Sequence, residues 1–410
     1  MTCKSLLQVV GAGPAGMGLV LALCNRIAAS NGRDCSERRI LDALQIFEAA
    51  PNPGGRMGHY RVNANTSAHD AVQGIKDGNP FVAVRDRYLA HPETQTDLIP
   101  LPRVGALMVE PLAEAMRQFL GSRLHCDTPV EHVEIVDDEF RSYDGNDALL
   151  ATSQNLLLCC GARETPLPEL LAFRDRWEGS AQFLLRERLE GLPGDNSLIV
   201  IIGASHSAFS CAWRLLYDPL FSAFAGDREI VILQRRERVK LRCTPEFAAA
   251  HRIDYDPGTD VCPATGLVFR NAGLRKDAKM LYLRIRDGEE TRVKLEEMNS
   301  LDEKQELLAR AGLILQATGF VSNLPPIERA GRSLRIGDPG QCGELHDLDS
   351  GAKIPGLFGM GLGINILPDG DPRGEPSFNG GIHGFQSYPL AVAPRIVDRI
   401  KANMTLEAGN

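Results

Sequence analysis

The sequence of 410 residues lacks the patterns that mark several well-known kinds of site. Its ten cysteines include no C-x-x-C pair, which disfavours a dithiol redox centre. No arrangement of Cys and His has the spacing of a zinc site, so no metal is expected. Cys159 and Cys160 are adjacent, and neighbouring cysteines rarely have the geometry of a disulfide. Buried, reduced thiols in a cytoplasmic protein are the favoured interpretation.

An excess of positive charge is also missing. The formal net charge is −8 at pH 7, whereas a nucleic-acid binder normally presents a basic face. Repeats and low-complexity tracts are absent. The stretch Leu6–Cys24 is apolar enough to suggest a signal peptide or a membrane span, but the glycine motif within it explains it better. We therefore expect a cytoplasmic protein of two domains, with neither nucleic acid nor a membrane as its partner.

The glycine motif follows the first apolar strand of the sequence. Leu6–Val10 is a short apolar run, Gly11-Ala12-Gly13-Pro14-Ala15-Gly16 comes directly after it, and a helical pattern follows. This is G-x-G-x-x-G between a strand and a helix, the context of a dinucleotide site. Gly11 permits a tight turn, Gly13 lets the backbone approach a pyrophosphate, and Gly16 lets the helix pack on the strand. The amides at the helix N-terminus would hold the diphosphate.

An acidic residue ends the second predicted strand, Ile40–Phe47. A carboxylate at Glu48 would accept hydrogen bonds from a ribose hydroxyl. The usual interval between the glycine motif and this acid is about 20 residues, whereas Glu48 is 37 residues after Gly11. The polar segment Asn31–Arg39 accounts for the additional residues as a surface insertion. A glycine-rich turn and an exposed Glu are the plain structural alternative. The two features together predict an adenine dinucleotide site.

The same pattern returns in the second half of the chain. The apolar run Leu198–Ile202 precedes Gly203-Ala204-Ser205-His206-Ser207-Ala208 and a helical pattern. Ser205 replaces the middle glycine, and its Cβ crowds a pyrophosphate although its hydroxyl could donate to it. After the strand Ile230–Leu233, Gln234-Arg235-Arg236 stands where the first unit has its acid. Because Arg binds phosphate with two parallel hydrogen bonds, these arginines are expected to accommodate the 2′-phosphate of NADP.

Further motifs resemble signatures of flavoproteins that bind two dinucleotides. Gly54-Gly55-Arg56 follows the ribose acid, where bare backbone would lie against the FAD diphosphate and the flavin edge. Val130, in a predicted strand, lies where this architecture often holds adenine through its backbone. Gly161-Ala162-Arg163 resembles the turn at the exit from the FAD domain. Ala317-Thr318-Gly319-Phe320 resembles the exit from the NADPH domain, and Pro355–Gly361 resembles the final FAD strand. Leu362 follows Gly361 in place of the expected Asp, whose role would pass to Asn365 or Asp369.

Two candidate catalytic residues come from the same resemblance. The segment His59–Ser67 is similar to the Asn-Thr-Ser stretch of flavin-containing monooxygenases, in which the Asn lies beside the flavin and supports the oxygen adduct. The resemblance carries this role to Asn65. Gly380-Gly381-Ile382-His383-Gly384 would open the last helix, where Gly381 and His383 could stabilise the reduced flavin. An Asn and a His in ordinary turns are the structural alternatives.

The chain is thus identified as similar to class B, NADPH-dependent flavin monooxygenases of the flavin-containing and N-hydroxylating type. This resemblance implies an α/β fold with two Rossmann-like domains, an FAD domain (1–190 and 325–410) and an inserted NADPH domain (191–324). It implies FAD and NADPH as cofactors. The expected reaction is oxygenation of a small or medium metabolite by O₂ through a flavin C4a-(hydro)peroxide, in secondary metabolism. The family signature F-x-G-x-x-x-H is absent, and Phe183-Leu184-Leu185-Arg186 stands near its place.

Other functions stay open from the sequence. The chain could be an FAD-dependent oxidase, dehydrogenase or cyclase with a vestigial nicotinamide site. It could also be a reductase that passes electrons to a protein partner, or a noncatalytic flavin sensor. The residues do not identify the substrate, and they leave a homodimer open. Two structural expectations complete the analysis: an irregular segment over Phe81–Leu101, and an antiparallel pair formed by Leu281–Ile285 and Arg292–Leu295.

Overall fold

A computed structural model of the chain describes residues 3–30, 36–96, 98–192, 198–235, 238–364, 366, 375–377 and 387–408. The predicted site residues Arg236, Gly381 and His383 lie outside the described residues, as do Asn365 and Asp369. The architecture is mixed α/β, with two sheets rich in parallel strands, so the predicted fold class is confirmed.

The strands and helices alternate along much of the described chain. The strands are β1 (Cys3–Ser5), β2 (Leu7–Val10), β3 (Leu44–Phe47), β4 (Leu124–His125), β5 (His132–Val136), β6 (Glu139–Tyr143), β7 (Leu149–Ser153), β8 (Leu156–Leu158), β9 (Ala162–Arg163), β10 (Trp177–Gly179), β11 (Leu198–Ile202), β12 (Glu229–Arg235), β13 (Val293–Met298), β14 (Leu313–Gln316), β15 (Val321–Ser322), β16 (Ile327–Arg329), β17 (Arg332–Ser333), β18 (Ile336–Gly337), β19 (Glu344–Asp347) and β20 (Lys353–Gly359). The α-helices are α1 (Pro14–Ala29), α2 (Ser36–Asp42), α3 (Ala68–Val72), α4 (Val82–Leu89), α5 (Leu101–Val104), α6 (Glu110–Leu120), α7 (Ser180–Leu185), α8 (His206–Tyr217), α9 (Pro219–Ala225), α10 (Pro245–Ala250), α11 (Lys276–Arg286), α12 (Gln305–Arg310) and α13 (Ser387–Ala408).

The first nucleotide unit is built on a seven-stranded sheet in the order β18-β19-β20-β8-β2-β3-β4. The five strands from β20 to β4 run parallel, and β18 and β19 add an antiparallel edge. Strands that are covered on both faces consist of continuous runs of apolar residues. In agreement, every residue of β2 and β8 is buried. The helix α1 is buried from Ala15 to Cys24 because α2 and α13 pack against it. The helix α13 therefore covers α1, the helix that follows the first glycine motif.

The second nucleotide unit is a five-stranded, wholly parallel sheet in the order β10-β14-β11-β12-β13. The helices α8 and α11 share a core with it, which includes Ile199, Phe209 and Leu281. Its first strand, β10, lies before residue 191, where the NADPH domain is expected to begin. The domain boundaries stay a prediction.

One expected pair of strands is wrong. Lys276–Arg286 forms the helix α11, and Val293–Met298 is a parallel edge strand beside β12. The short run Leu281–Ile285 alternates between apolar and polar residues, which suggested a strand. The longer set Ala278, Leu281, Tyr282 and Ile285 packs into one core. Its spacing of three, four and seven residues from Ala278 is that of a helix.

Two smaller expectations are also corrected. Phe81–Leu101 is not irregular throughout, because Val82–Leu89 forms α4. The expected second strand begins only at Leu44, since Ile40 and Leu41 belong to the last turn of the helix α2 and bury their side chains there.

The chain crosses between the two units on paired segments. Outgoing β9 and returning β15 form an antiparallel two-stranded sheet, and the Asn323 amide donates to the Gly161 carbonyl at 3.0 Å. After Pro325-Pro326 the chain enters β16, which pairs with β5 of a separate six-stranded sheet. None of the helices within the described ranges is both long and apolar enough to cross a membrane.

Candidate active-site cleft

A cleft of ≈ 2670 Å³ is lined by residues that follow the carboxyl ends of strands in both parallel sheets. Ligands of open α/β sheets bind at such strand ends. The cleft brings together most of the residues predicted from the sequence: Gly11, Gly13, Pro14, Ala15, Glu48, Gly54, Gly55, Arg56, Asn65, Val130, Gly161, Ser205, Ser207, Gly319 and Gly361. Gly16, Gly203 and Arg235 do not line it. The individual roles of these residues stay predictions.

The three glycines of the first motif differ in what surrounds them. Gly11 has φ +99°, and a Cβ placed on it would lie 2.4 Å from the Cys159 carbonyl oxygen. A Cβ on Gly16 would lie 2.1 Å from the Gly11 oxygen, so both positions require glycine for packing. A Cβ on Gly13 would meet nothing nearer than the Gly55 Cα, at 3.8 Å. The protein therefore leaves open space at Gly13, where a diphosphate would approach.

The Glu48 carboxylate is fixed against this loop. The Ala12 amide donates to Glu48 Oε2 at 2.6 Å, and the Ala50 amide donates to Oε1 at 2.9 Å. A carboxylate has about four lone-pair positions, so a half-buried Glu48 with two backbone donors keeps acceptor capacity toward the cleft. The fixed orientation suits recognition of a ribose diol.

The Gly54-Gly55 turn lies directly on the same loop. The Gly54 amide donates to the Ala12 carbonyl at 2.9 Å, and both glycines have positive φ, +115° and +64°. From the other end of the chain, Gly361 also approaches, since a Cβ on it would lie 3.2 Å from the Ala15 Cβ. Bare backbone thus surrounds the start of α1, whose first amides have no partner within the helix. The residues present fit FAD.

The second glycine loop repeats the first in geometry. Gly203 has φ +114°, and a Cβ on it would lie 2.4 Å from the Ala317 carbonyl oxygen. Ala208, which is buried, occupies the place of the third glycine. Ser205 is the N-cap of α8 but its side chain makes no capping hydrogen bond. Its exposed hydroxyl is therefore available to a ligand, as NADPH binding would require.

The predicted phosphate-binding arginines are only partly described. Arg235 ends β12 and is exposed, outside the residues that line the cleft. Arg236 lies outside the described residues. Recognition of a 2′-phosphate by either residue stays a prediction.

Asn65 lies on a segment that is held from two sides. The Ala64 amide donates to the Ile99 carbonyl at 2.8 Å. From the second unit, Lys276 Nζ donates to the Thr66 carbonyl at 3.3 Å, and Asn63 Nδ2 donates to Asp277 Oδ2 at 3.1 Å. The Asn65 side chain itself is exposed to the cleft, and from the described residues it accepts only a long contact of 3.4 Å from the Thr66 hydroxyl. Its amide can therefore donate and accept toward a ligand.

A histidine that was not predicted as a site residue also lines this cleft. His206 begins α8, and its Nε2 lies 3.2 Å from the Gly273 carbonyl. Burial, with a smaller contribution from the nearby Arg275, lowers the pKa of His206 to about 4. The imidazole is therefore neutral near pH 7. Its signal in the sequence was only its place inside the second glycine motif.

The adjacent cysteines play a structural part. Burial raises the pKa of Cys160 to about 12 and also holds the pKa of Cys159 well above its ordinary value. Thiols with raised pKa values are poor nucleophiles. Both cysteines are free thiols. Cys159 contributes its backbone carbonyl, which Gly11 approaches.

Comparison with known proteins agrees with this geometry. No protein-family model matches the chain. A CMP-5′-(3-aminopropyl)phosphonate hydroxylase from Streptomyces rubellomurinus is 26% identical over an alignment of 440 residues, which covers 98% of this chain and 98% of that protein.

Two solved structures share the architecture over nearly their full length. The L-lysine 6-monooxygenase of Pseudomonas syringae has a TM-score of 0.59 and 16% identity, over 97% of this chain and 99% of that one. The FAD-bound cadaverine monooxygenase of Erwinia amylovora has a TM-score of 0.55 and 16% identity, over 96% and 92%. The fold is that of the flavin-dependent monooxygenases. At these identities the likeness shows the fold, and the reaction must be argued from the site.

Proposed function

We propose that this protein is an FAD-dependent, NADPH-consuming monooxygenase that hydroxylates the nitrogen of a primary amine in a small or medium metabolite. The overall change would be R–NH₂ + O₂ + NADPH + H⁺ → R–NHOH + H₂O + NADP⁺. The substrates named for the three relatives support the amine, because lysine, cadaverine and the aminopropyl phosphonate all carry a primary amine on an alkyl chain.

One observation carries the proposal. Two glycine loops, Gly11–Gly16 and Gly203–Ala208, each pack closely against the end of a neighbouring strand, and both border one cleft. Hydride transfer between two dinucleotides requires both to reach a common space. The opposite chemistry of the two strand ends, Glu48 in the first unit and Arg235 in the second, supports a division between FAD and NADPH.

The chain's own residues would bind and orient the reactants. When bound and reduced by NADPH, FAD supplies the electrons that activate O₂. Glu48 and the first amides of α1 would hold the ribose and diphosphate, and Gly54-Gly55 would lie along the cofactor. Asn65 would donate a hydrogen bond at the reacting end of the cleft and accept one from the amine.

An oxidase or cyclase with a vestigial nicotinamide site is the less favoured alternative. A vestigial site would be expected to fill with side chains. Here Ser205, His206 and Ser207 border open cleft, and Gly203 keeps its tight contact with the Ala317 carbonyl. The second loop thus retains the space that a nucleotide needs.

The test uses the FAD-loaded protein. Anaerobic mixing with NADPH should bleach the flavin absorbance, and subsequent admission of ¹⁸O₂ with cadaverine or 3-aminopropylphosphonate should give a hydroxylamine that carries one labelled oxygen. Failure of NADPH to bleach the flavin would favour the oxidase or cyclase. Bleaching without label in any amine product would favour a reductase.

A further inference from the structure

Three arginines that the proposed reaction does not use lie together in the cleft. Arg242, Arg270 and Arg275 all line it and are half-buried. Within the described part of the chain, none of the three guanidinium groups forms an ion pair with a carboxylate. Arginines are normally buried only when they are paired. The grouping therefore requires an explanation.

Backbone contacts hold these arginines close to one another. A Cβ placed on Gly273 would lie 2.2 Å from the Arg242 nitrogen, so the segments around residues 242 and 273 pack without any side chain between them. The Arg242 amide donates to the Leu274 carbonyl at 3.0 Å, and the Leu274 amide donates to the Lys240 carbonyl at 2.8 Å. Arg275 follows directly, and its Nη2 donates to the Arg270 carbonyl at 3.0 Å. Positive charge is thus concentrated by rigid backbone.

The electrostatics of the cluster favour an anion. Burial, and then repulsion by Arg242 and Arg270, lowers the pKa of Arg275 to about 10. Burial, and then repulsion by Arg270, also lowers the pKa of Arg242. The Arg275 Nε is buried and has no hydrogen-bond partner among the described residues. Like charges held together in a partly dry site are stabilised when a multivalent anion enters.

The neighbouring acids do not neutralise the cluster. Asp70 and Glu375 attract Arg275 weakly, without an ion pair. Glu375 is buried and accepts from the amides of Asn271 at 3.2 Å and Ala272 at 2.9 Å, so its hydrogen bonds go to backbone and not to the guanidinium groups. Asp70 is exposed. Among the described residues, the three guanidinium groups therefore outnumber the two carboxylates, Asp70 and Glu375, that act on them.

The cluster lies near the predicted reacting end of the cleft. Arg275 immediately precedes Lys276, which donates to the Thr66 carbonyl beside Asn65. The cluster also touches the second nucleotide loop, since His206 Nε2 lies 3.2 Å from the Gly273 carbonyl. A phosphate here could therefore come from the substrate or from the NADPH diphosphate. Ser205 and Ser207 are the residues predicted to contact the NADPH diphosphate, so we assign the arginine donors to the substrate.

We propose that Arg242, Arg270 and Arg275 bind a phosphonate or phosphate group of the substrate, and thereby place its amine near Asn65. This inference rests on the proposed function. It narrows the substrate to an amine that carries a phosphorus oxyanion at the far end of the same molecule.

Equilibrium binding to the oxidised, FAD-loaded protein tests the inference without any turnover. In calorimetry, 3-aminopropylphosphonate should bind, inorganic phosphate should compete with it, and propylamine should bind at least about 10-fold more weakly, as loss of one charged hydrogen bond predicts. Arg275→Gln and Arg270→Gln should each weaken phosphonate binding by roughly 10- to 140-fold. Arg335→Gln is the matched control, because Arg335 is exposed, pairs with Asp349 and lies outside the cleft. FAD content checks that each variant is folded.

A second arm separates the two sources of phosphate. In both variants, the NADPH concentration that gives half the maximal rate of anaerobic flavin reduction should change by less than about twofold. This change is well below the effect of losing one charged hydrogen bond to NADPH. Loss of NADPH affinity with unchanged phosphonate binding would overturn the inference and assign the cluster to the cofactor. Equal binding of propylamine and the phosphonate would also overturn it. Arginine-dependent phosphonate binding without any oxygenated product would support the inference while rejecting the proposed function.

Discussion

The glycines of the first loop allow folding and cofactor binding to be separated. Gly13 has φ −69° and ψ −173°, a backbone conformation that any residue adopts. A Cβ at this position would meet only the Gly55 Cα, at 3.8 Å. Gly13→Ala should therefore leave the fold of the FAD-free protein intact. Any effect of the substitution must arise where the diphosphate approaches the backbone.

The expected loss follows from the contacts that the approach permits. A methyl group at residue 13 would push the diphosphate away from the first amides of α1, which donate charge-assisted hydrogen bonds. Losing one such bond costs about 1.5–3 kcal/mol, which corresponds to a roughly 10- to 140-fold increase in the Kd for FAD. The larger Gly13→Val should abolish binding of FAD.

Gly11→Ala is the matched control for this prediction. Its Cβ would lie 2.4 Å from the Cys159 carbonyl oxygen, and its φ of +99° disfavours any side chain. This variant should lose stability with or without FAD. Thermal unfolding of apo and FAD-loaded proteins measures both effects, since a ligand at 100 times its Kd adds about 2.7 kcal/mol. An apo Tm that falls equally in Gly13→Ala and Gly11→Ala would refute the reasoning.

Three further predictions concern Asn65, Arg235 and His206. Asn65→Ala should keep FAD and its reduction by NADPH but release more hydrogen peroxide and form less hydroxylamine; unchanged coupling would remove Asn65 from the site. Arg235→Ala should raise KM for NADPH by roughly 10- to 140-fold and leave NADH nearly unaffected, whereas equal losses would reject phosphate recognition. The pKa of His206 in the folded protein, about 4, lies below its ordinary value of 6.5. The free energy of unfolding should therefore decrease as the pH falls through that interval, because only the unfolded chain gains a proton there. The loss is about 3 kcal/mol at 1.36 kcal/mol per pKa unit, and urea unfolding should show a weaker pH dependence in His206→Gln.

The local motifs could be predicted because their determinants are neighbours in the chain. Within a strand–turn–helix unit, Gly11 must turn and Gly16 must pack on Gly11, so the glycine spacing is visible in the sequence, although the approach of Gly11 to the Cys159 carbonyl is a long-range contact. Glu48 is set by the adjacent parallel strand β3, which the apolar run before it indicated. The second unit was found in the same way from Gly203. These features follow from short-range geometry.

The arginine cluster could not be predicted, since no short-range pattern joins its members. Arg242 and Arg275 meet only because Gly273 lets two irregular segments pack backbone to backbone. The helix α11 was missed because a window from Leu281 to Ile285 is too short to distinguish alternation from helical spacing. Tertiary packing decides both cases.

The two glycine loops make the same kind of backbone contact but differ in how closely other segments surround the space for a ligand. In each, a glycine of positive φ lies against a carbonyl of the neighbouring strand end, Cys159 in the first unit and Ala317 in the second. Around the first loop, Gly54-Gly55 and Gly361 close in, and Glu48 is fixed by two amides. Around the second, the hydroxyl of Ser205 makes no capping hydrogen bond. A nucleotide enclosed by three segments leaves slowly, whereas one bound at an open loop can exchange. This difference is what a resident FAD and an NADPH consumed in every turnover require, and it supports the proposed placement of the two cofactors independently of the residues predicted to contact the ribose.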